Sequence, residues 1–178
     1  MRSGAGSKQK GADFERRVCK DLSLWVTHNK RDDCLWRSAM SGGRATVAKK
    51  KDVDLQHVSG DICAVHPDGY PLVAKFFIEC KFYKDLRYAQ LVSALGGSVV
   101  EFWKIACAQA ADHKKWPMVI LKQNQYPALI GITDAAACWL KIQRAAQVRV
   151  GKLDLSLYAY EPFLRHTVFP RNNRRVVE

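Results

Sequence analysis

One segment near the middle of the chain constrains the fold more than any other. It reads Lys75-Phe-Phe-Ile-Glu-Cys-Lys-Phe-Tyr83. Alternate residues of a strand lie on the same face, so Glu79 and Lys81 point the same way. The opposite face is apolar throughout and suits packing under helices: Phe76, Ile78, Cys80 and Phe82. The segment therefore predicts a strand covered by helices, with an acid and a lysine side by side.

The charge of the chain restricts its partners. The 178 residues include 29 Lys and Arg but only 17 Asp and Glu, which gives a formal net charge of +12. Such an excess favours a polyanionic partner. Hydrophobic residues make up 48% of the chain, enough for a folded core and too many for a disordered basic tail. No apolar run approaches the roughly 20 residues that span a bilayer, and no secretory signal is recognisable, so a cytoplasmic protein without a membrane partner is expected.

The order of predicted elements indicates one mixed α/β domain. Apolar spacing predicts a first helix from Gly11 to about His28. Two strands joined by a turn at 66–71 predict a hairpin over residues 61–83. The remaining predicted elements are a helix from about Leu86 that Gly96-Gly97 break or bend, strands over 117–121 and 128–133, a short helix capped by Asp134 and ending near Ala146, and weak strand character over 148–170.

The predicted hairpin brings two acids together. Asp61 falls roughly opposite Glu79 when the turn is centred near residues 69 and 70. Two carboxylates this close repel each other unless one is protonated or a cation lies between them. Mg²⁺ suits such a place, because it takes a few carboxylates, keeps several waters and binds phosphate oxygens. Lys81 beside them can position or help deprotonate a metal-bound water and can neutralise charge that develops on phosphate. Phosphodiester hydrolysis is one prediction.

A purely structural interpretation fits the same residues equally well. Glu79 and Lys81 also suit a salt bridge at a sheet edge, and an acid-x-Lys pair is unremarkable in a chain with 26% charged residues. Asp112 and Lys114 have the same spacing, but they lie at the end of a predicted helix, where residues i and i+2 point apart. The segment alone leaves both interpretations open.

Four motifs in a fixed order add a family resemblance. They are Lys10-Gly-Ala-Asp-Phe-Glu15-Arg, Trp36-Arg37-Ser-Ala-Met-Ser41-Gly42-Gly43, Gly60-Asp61-Ile and Ile78-Glu79-Cys80-Lys81. Together they resemble the archaeal-type Holliday junction resolvases, which include phage-encoded relatives and belong to the PD-(D/E)xK nuclease superfamily. The resemblance runs from about Lys8 to about Thr133. It implies an α/β, single-domain, restriction-endonuclease-like fold, with a central mixed β-sheet flanked by helices, and assembly as a homodimer.

The resemblance also assigns roles to single residues. Asp61, Glu79 and the backbone carbonyl of Cys80 match the family's metal ligands, and Lys81 matches its lysine. Glu15 matches a first-helix glutamate that reaches the metal, often through water, and its place at the edge of the apolar helix face points it inward. The catalytic set that the resemblance implies is Glu15, Ser41, Asp61, Glu79 and Lys81. Mg²⁺ is the implied cofactor, with Mn²⁺ able to replace it.

Basic residues in the first third of the chain are predicted to bind nucleic acid. Phosphate contacts of this kind give affinity that is independent of sequence. The tryptophans are expected in the core, except Trp36, which lies next to a predicted basic loop and is a candidate for stacking on bases. The predicted nucleic-acid-binding residues are Lys8, Lys10, Arg16, Arg37, Arg44, Lys49, Lys50 and Lys51.

The sequence thus predicts a Mg²⁺-dependent endonuclease of recombination and repair that cuts four-way DNA junctions by water attack on the phosphodiester. No small-molecule cofactor is expected, and the location is the cytoplasm, or the host cytoplasm if the chain is phage-encoded. Two alternatives stay open: another nuclease of this superfamily (restriction-like, repair or flap-cutting), and a non-catalytic DNA-binding protein. One departure is Gly60, which replaces the family's proline before Asp61.

The predicted organisation has three parts. Residues 1–10 are a flexible basic N-terminus, and residues 11–147 are the nuclease domain. Residues 148–178 are a C-terminal extension, ending in a basic tail, that packs on the domain or at a dimer interface.

Overall fold

The first helix, α1, spans Gly4–Val26. The predicted start at Gly11 is therefore wrong, because the helix begins seven residues earlier. Contacts with the end of the sheet hold this early part of the helix, because the Lys10 ammonium lies 4.2 Å from the centre of the Phe82 ring. The computed structural model describes residues 4–38, 58–93, 96–143 and 145–170.

A small antiparallel sheet follows α1. Its strands are β1 (Leu35–Arg37), β2 (Val58–Ser59) and β3 (Ile62–Ala64), in the order β1-β3-β2. The side chains of Leu35 and Ile62 are buried in the same core as the apolar face of α1. The strand predicted from Asp61 is therefore confirmed as β3.

The predicted hairpin over 61–83 is wrong. Strand β3 pairs with β1 and β2, and a 3-10 turn (Pro67–Gly69) and a short helix, α2 (Tyr70–Lys75), separate it from strand β4 (Phe76–Tyr83). Pro71 stands in the first turn of α2, where its fixed φ and missing N–H favour a helix start.

Helices and strands make up the rest of the described chain. The predicted break at Gly96-Gly97 is confirmed, since two helices flank it and Gly97 has a φ of +88°.

The short helix predicted after residue 133 is present as Asp134–Trp139 and ends well before Ala146. Thr133, not Asp134, caps it by accepting a hydrogen bond from the Ala136 N–H at 3.1 Å. The elements are α3 (Tyr88–Ser93), α4 (Ser98–Asp112), β5 (Trp116–Gln123), β6 (Leu129–Ile132), α5 (Asp134–Trp139), β7 (Val148–Val150), a 3-10 turn (Gly151–Leu153), β8 (Leu155–Ala159) and α6 (Tyr160–His166).

The main sheet has five strands in the order β4-β5-β6-β8-β7. Strands β4 and β5 are parallel, and the other neighbours are antiparallel. One face of the sheet packs under α1 and α6, and the other packs against α3 and α4. This mixed sheet flanked by helices confirms the predicted α/β fold of the restriction-endonuclease type.

The sheet continues past the predicted boundary at residue 147. Strand β8 lies between β6 and β7, with Ile130 opposite Tyr158 and Val148 opposite Leu157. Residues 148–159 thus complete the sheet, while a role of residues 148–178 at a dimer interface stays a prediction. Across the part of the chain that the structure describes, no helix is long and apolar enough to cross a membrane.

Candidate active site

Asp61 lies against the open edge of β4. A parallel bridge joins Gly60 to Ile78, and the Asp61 N–H donates to the Ile78 carbonyl oxygen at 2.9 Å. The side chain turns back to the same strand, where Asp61 Oδ2 accepts a hydrogen bond from the Cys80 N–H at 2.8 Å. The predicted proximity of Asp61 to Glu79 is therefore present, but a parallel bridge produces it instead of a hairpin.

Gly60 is required for this close approach. Its φ of +71° lies in the left-handed region that favours glycine, and proline, whose ring fixes φ near −65°, cannot adopt it. An added Cβ would stand 2.9 Å from the Ile78 carbonyl carbon and closer still to its oxygen. Glycine at this position, where the resolvases that the sequence resembles have proline, thus has a structural reason in this chain.

Glu79 and Lys81 share one face of β4, as the alternation predicts. The Lys81 ammonium donates to Glu79 Oε2 at 2.6 Å and lies 5.8 Å from the centre of the Phe102 ring on α4. Burial works to lower the pKa of Lys81, but the hydrogen bond to Glu79 and the charges of Glu79 and Asp61 outweigh it, so the pKa is raised. Lys81 is therefore a cation at neutral pH.

Glu15 and Arg37 complete the cluster from two other elements. Glu15 points inward from α1, and its Oε2 accepts a hydrogen bond from the Arg37 Nε–H of β1 in an ion pair. Burial raises the pKa of Glu15, the bond from Arg37 opposes that rise, and the Asp61 charge adds to it. The inward orientation that the helical spacing predicts for Glu15 is present in the structure.

The cluster carries an excess of negative charge. Burial raises the pKa of Asp61, although the Cys80 N–H and the charges of Lys81 and Arg37 oppose it. Burial and repulsion from Asp61 likewise raise the pKa of Glu79 against the pull of Lys81. Three carboxylates thus face two cations, and one negative charge remains when all are ionised. An additional cation at this place would relieve the repulsion.

The available ligands suit a hard divalent cation. Within residues 4–38, 58–93, 96–143 and 145–170, no group of three or more His, Cys, Asp or Glu side chains is placed to hold a metal ion. Mg²⁺ does not need one, because it commonly takes one or two carboxylates and keeps several waters. Asp61 and Glu79 offer the carboxylates. The Cys80 N–H donates to Asp61 at the open edge of β4. Because the N–H and C=O groups of one strand residue point to the same side of the strand, the Cys80 carbonyl faces this edge as well. The chemistry of these oxygen donors fits the metal.

Two residues that support the site carry no signal in the sequence. Lys115 follows α4 in the chain, and its ammonium donates to the Val58 carbonyl oxygen at 3.3 Å and to Ser59 Oγ at 3.2 Å. The Ser59 hydroxyl in turn donates to the Phe76 carbonyl oxygen. These bonds tie β2 to β4 immediately before Asp61. Burial lowers the pKa of Lys115. No local pattern links Lys115 to Ser59, because they are distant in sequence.

The predicted nucleic-acid-binding residues have different surroundings. Lys8 is exposed on α1. Arg16 is exposed on the same helix and pairs with Asp13, Lys10 reaches the Asn124 side chain, and Arg37 pairs with Glu15. The others lie outside the described residues, as does the predicted catalytic serine: Ser41, Arg44, Lys49, Lys50 and Lys51. The roles of all these residues stay predictions.

A mixed sheet flanked by helices, with Asp61 held beside a Glu-x-Lys strand, defines a nuclease of the PD-(D/E)xK superfamily. Nucleases of this class act on DNA and usually use divalent metals. Residues 6–163 match the model of a family described as "Phage putative PDDEXK endonuclease", and the chain belongs to this family. Searches of curated proteins and of solved structures give no match.

Proposed function

We propose that the chain is a Mg²⁺-dependent, structure-selective endonuclease that cuts four-way DNA junctions as a homodimer. One observation carries the nuclease chemistry: Asp61 is held on the Cys80 N–H beside the Glu79–Lys81 pair. This arrangement supplies oxygen ligands, an excess negative charge and a lysine within one small volume.

Each residue of the cluster has a distinct task in this proposal. Asp61, Glu79 and the Cys80 carbonyl would hold Mg²⁺, which when bound lowers the pKa of a coordinated water and neutralises charge on the phosphate. Lys81 is a cation at neutral pH, so it acts as a hydrogen-bond donor that stabilises developing negative charge on phosphate oxygens.

Glu15 and Arg37 act at the rim of the cluster. Arg37 neutralises Glu15, which keeps a third ionised carboxylate from adding its full charge to the metal site. Arg37 is also the cation of the cluster that a DNA phosphate approaching from β1 would meet, and Arg–phosphate contacts position the backbone without reading sequence.

The preference for junctions is supported by the ordered motifs and by the charge. The four motifs between Lys10 and Lys81 occur in the order found in junction resolvases, and the net charge of +12 suits several duplex arms held by phosphate contacts. Sequence-independent phosphate binding is what a structure-selective nuclease requires.

A cleavage assay tests the chemistry. The chain is incubated with Mg²⁺ and a labelled synthetic four-way junction, or with a linear duplex of the same sequence. We expect paired nicks on opposed strands of the junction and none on the duplex, and Glu79→Gln should abolish them. The matched control is Glu101→Gln, which alters an exposed acid in the first turn of α4 and should leave cleavage unchanged.

Other outcomes point to the alternatives. Equal cleavage of the junction and the duplex would refute the junction specificity and favour another kind of nuclease within the superfamily. Junction binding without cleavage, unaffected by Mg²⁺ and by Glu79→Gln, would refute catalysis and leave a DNA-binding protein. Sedimentation analysis of the free protein tests the homodimer, and a monomer at assay concentrations would contradict paired cutting by two fixed sites.

A further inference from the structure

Trp36 stands apart from the other tryptophans of the chain. All five lie in the described ranges, and Trp36 is 59% exposed, whereas Trp25 and Trp103 are buried and Trp116 and Trp139 are half-buried. A half-exposed indole ring keeps a flat apolar face in contact with solvent, and such a face can stack on another ring. The ring is thus an exposed aromatic surface that the fold does not use.

The register of β1 fixes the direction of this ring. Leu35 is buried against the core, and Arg37 points from β1 to Glu15 on α1. Because alternate strand residues point to opposite faces, Trp36 points away from α1, on the side of the small sheet that faces solvent. Its partner across the ladder is Cys63 of β3.

The same strand leads directly to the candidate active site. Two residues after Trp36, the Ser38 N–H donates to the Asp61 carbonyl oxygen at 2.8 Å. Two residues of extended chain span about 7 Å, which is about two steps of stacked bases in a DNA strand. A base on the Trp36 ring would therefore lie within a few nucleotides of a phosphate held at Asp61.

We propose that Trp36 is a stacking platform for an unpaired nucleobase within a few nucleotides of the cleaved phosphate. The occupant is a base because the whole chain is strongly basic and because β1, which carries Trp36, also carries Arg37, whose guanidinium lies in the active-site cluster on the other face of the strand. Stacking on an aromatic face tolerates any base, which agrees with recognition of DNA shape. The inference deepens the proposed function, since base pairs at a branch point lack a stacking neighbour and open more easily than those inside a duplex.

Binding measurements with three Trp36 variants test the proposal. Trp36→Phe keeps an aromatic face, Trp36→Leu keeps only apolar bulk, and Trp36→Ala removes both. Each is titrated, with Ca²⁺ in place of Mg²⁺ to prevent cutting, against a four-way junction with unpaired bases at the branch and against the same junction with abasic sites there. A fully paired duplex is the third DNA.

The expected result is a loss of binding affinity that depends on the presence of the base. Trp36→Ala and Trp36→Leu should bind the junction with unpaired bases about fivefold to 150-fold more weakly, the range that corresponds to about 1–3 kcal/mol of stacking per base. Neither should change the affinity for the abasic junction or the duplex, and Trp36→Phe should keep most of the wild-type affinity. Tyr126→Ala, which alters another exposed aromatic residue, is the matched control and should change nothing.

Several results would overturn the proposal. Equal weakening on the abasic and base-containing junctions would show that Trp36 does not touch a base. A loss of the dimer in Trp36→Ala would show that a second copy of the chain covers the ring instead. The proposed function is tested separately. If wild-type protein cuts the junction and the duplex equally, the proposed junction specificity is wrong. The binding data still show whether Trp36 contacts a base.

Discussion

The substitution Gly60→Ala tests whether the bridge between Gly60 and β4 builds the candidate active site. The added Cβ would stand 2.9 Å from the Ile78 carbonyl carbon, on a backbone whose φ is +71°. That neighbour is a strand backbone and cannot move aside like the end of a flexible side chain. We therefore expect the segment that carries Asp61 to shift away from β4.

The structure gives the size of the effect. A non-glycine residue in the left-handed region costs about 1–2 kcal/mol. Loss of the Asp61 N–H bond to Ile78 removes a further 0.5–1.5 kcal/mol, roughly the net worth of one hydrogen bond. The free energy of unfolding should fall by about 1.5–3.5 kcal/mol, which lowers Tm by about 3–14 °C for a chain of this length. A displacement of about 1 Å at Asp61 should lower Mg²⁺-dependent cleavage about 100-fold.

Thermal unfolding and single-turnover cleavage, both at a temperature where the variant is folded, measure these two effects. Gly151→Ala is the matched control: no atom lies within 4 Å of the Cβ that it adds, so stability should change by no more than about 0.5 kcal/mol. A Gly60→Ala protein that melts and cuts like the wild type would refute the reasoning, because it would show that Asp61 keeps its place without the bridge.

Three further predictions rest on separate features. Gly11→Ala, inside α1 with no atom within 4 Å of the added Cβ, should raise the free energy of unfolding by about 0.5–1 kcal/mol in urea titrations; a loss would contradict the helical position. Lys115→Met should lower stability by about 0.5–1.5 kcal/mol and weaken Mg²⁺ binding in calorimetry, while Lys114→Met, an exposed neighbour, should do neither. Because burial raises the pKa of Asp61 and Glu79, the stability that these two groups contribute to the metal-free protein is fully present below their ordinary pKa values and is lost as pH rises through the raised ones. The gain in Tm with Mg²⁺ should therefore grow over that same rise in pH, and a gain that is constant with pH would contradict the assignment.

Local patterns were enough to predict the strand that carries the site. The alternation over Phe76–Tyr83 defines both faces of β4, and it places Glu79 and Lys81 together without knowledge of any other element. The Gly96-Gly97 pair likewise marks the boundary between α3 and α4, because Gly97 adopts a φ that other residues avoid. These features depend on neighbours in sequence, which the sequence displays directly.

The errors came from features that tertiary packing decides. The apolar run Leu72-Val73 suits a strand and a helix equally, and Pro71 together with burial of both side chains selects the helix α2. Replacement of the hairpin by a helix changes the partner of β3, so the contact of Asp61 with β4 arises from a bridge that no spacing rule predicts. The Lys115–Ser59 bond joins residues 56 positions apart, and no pattern in the sequence reports it.

The position of β8 in the sheet affects how an unfinished chain behaves during synthesis. The N-terminal part of a chain folds first as it leaves the ribosome, and here every described residue of the candidate active site precedes β5. Until residues 155–159 are made, however, β6 has no neighbour on its second side. An unpaired apolar strand edge invites pairing with other chains. A stalled or proteolysed chain that ends before Leu155 thus holds all of those site residues, yet it is expected to aggregate before it can act on DNA.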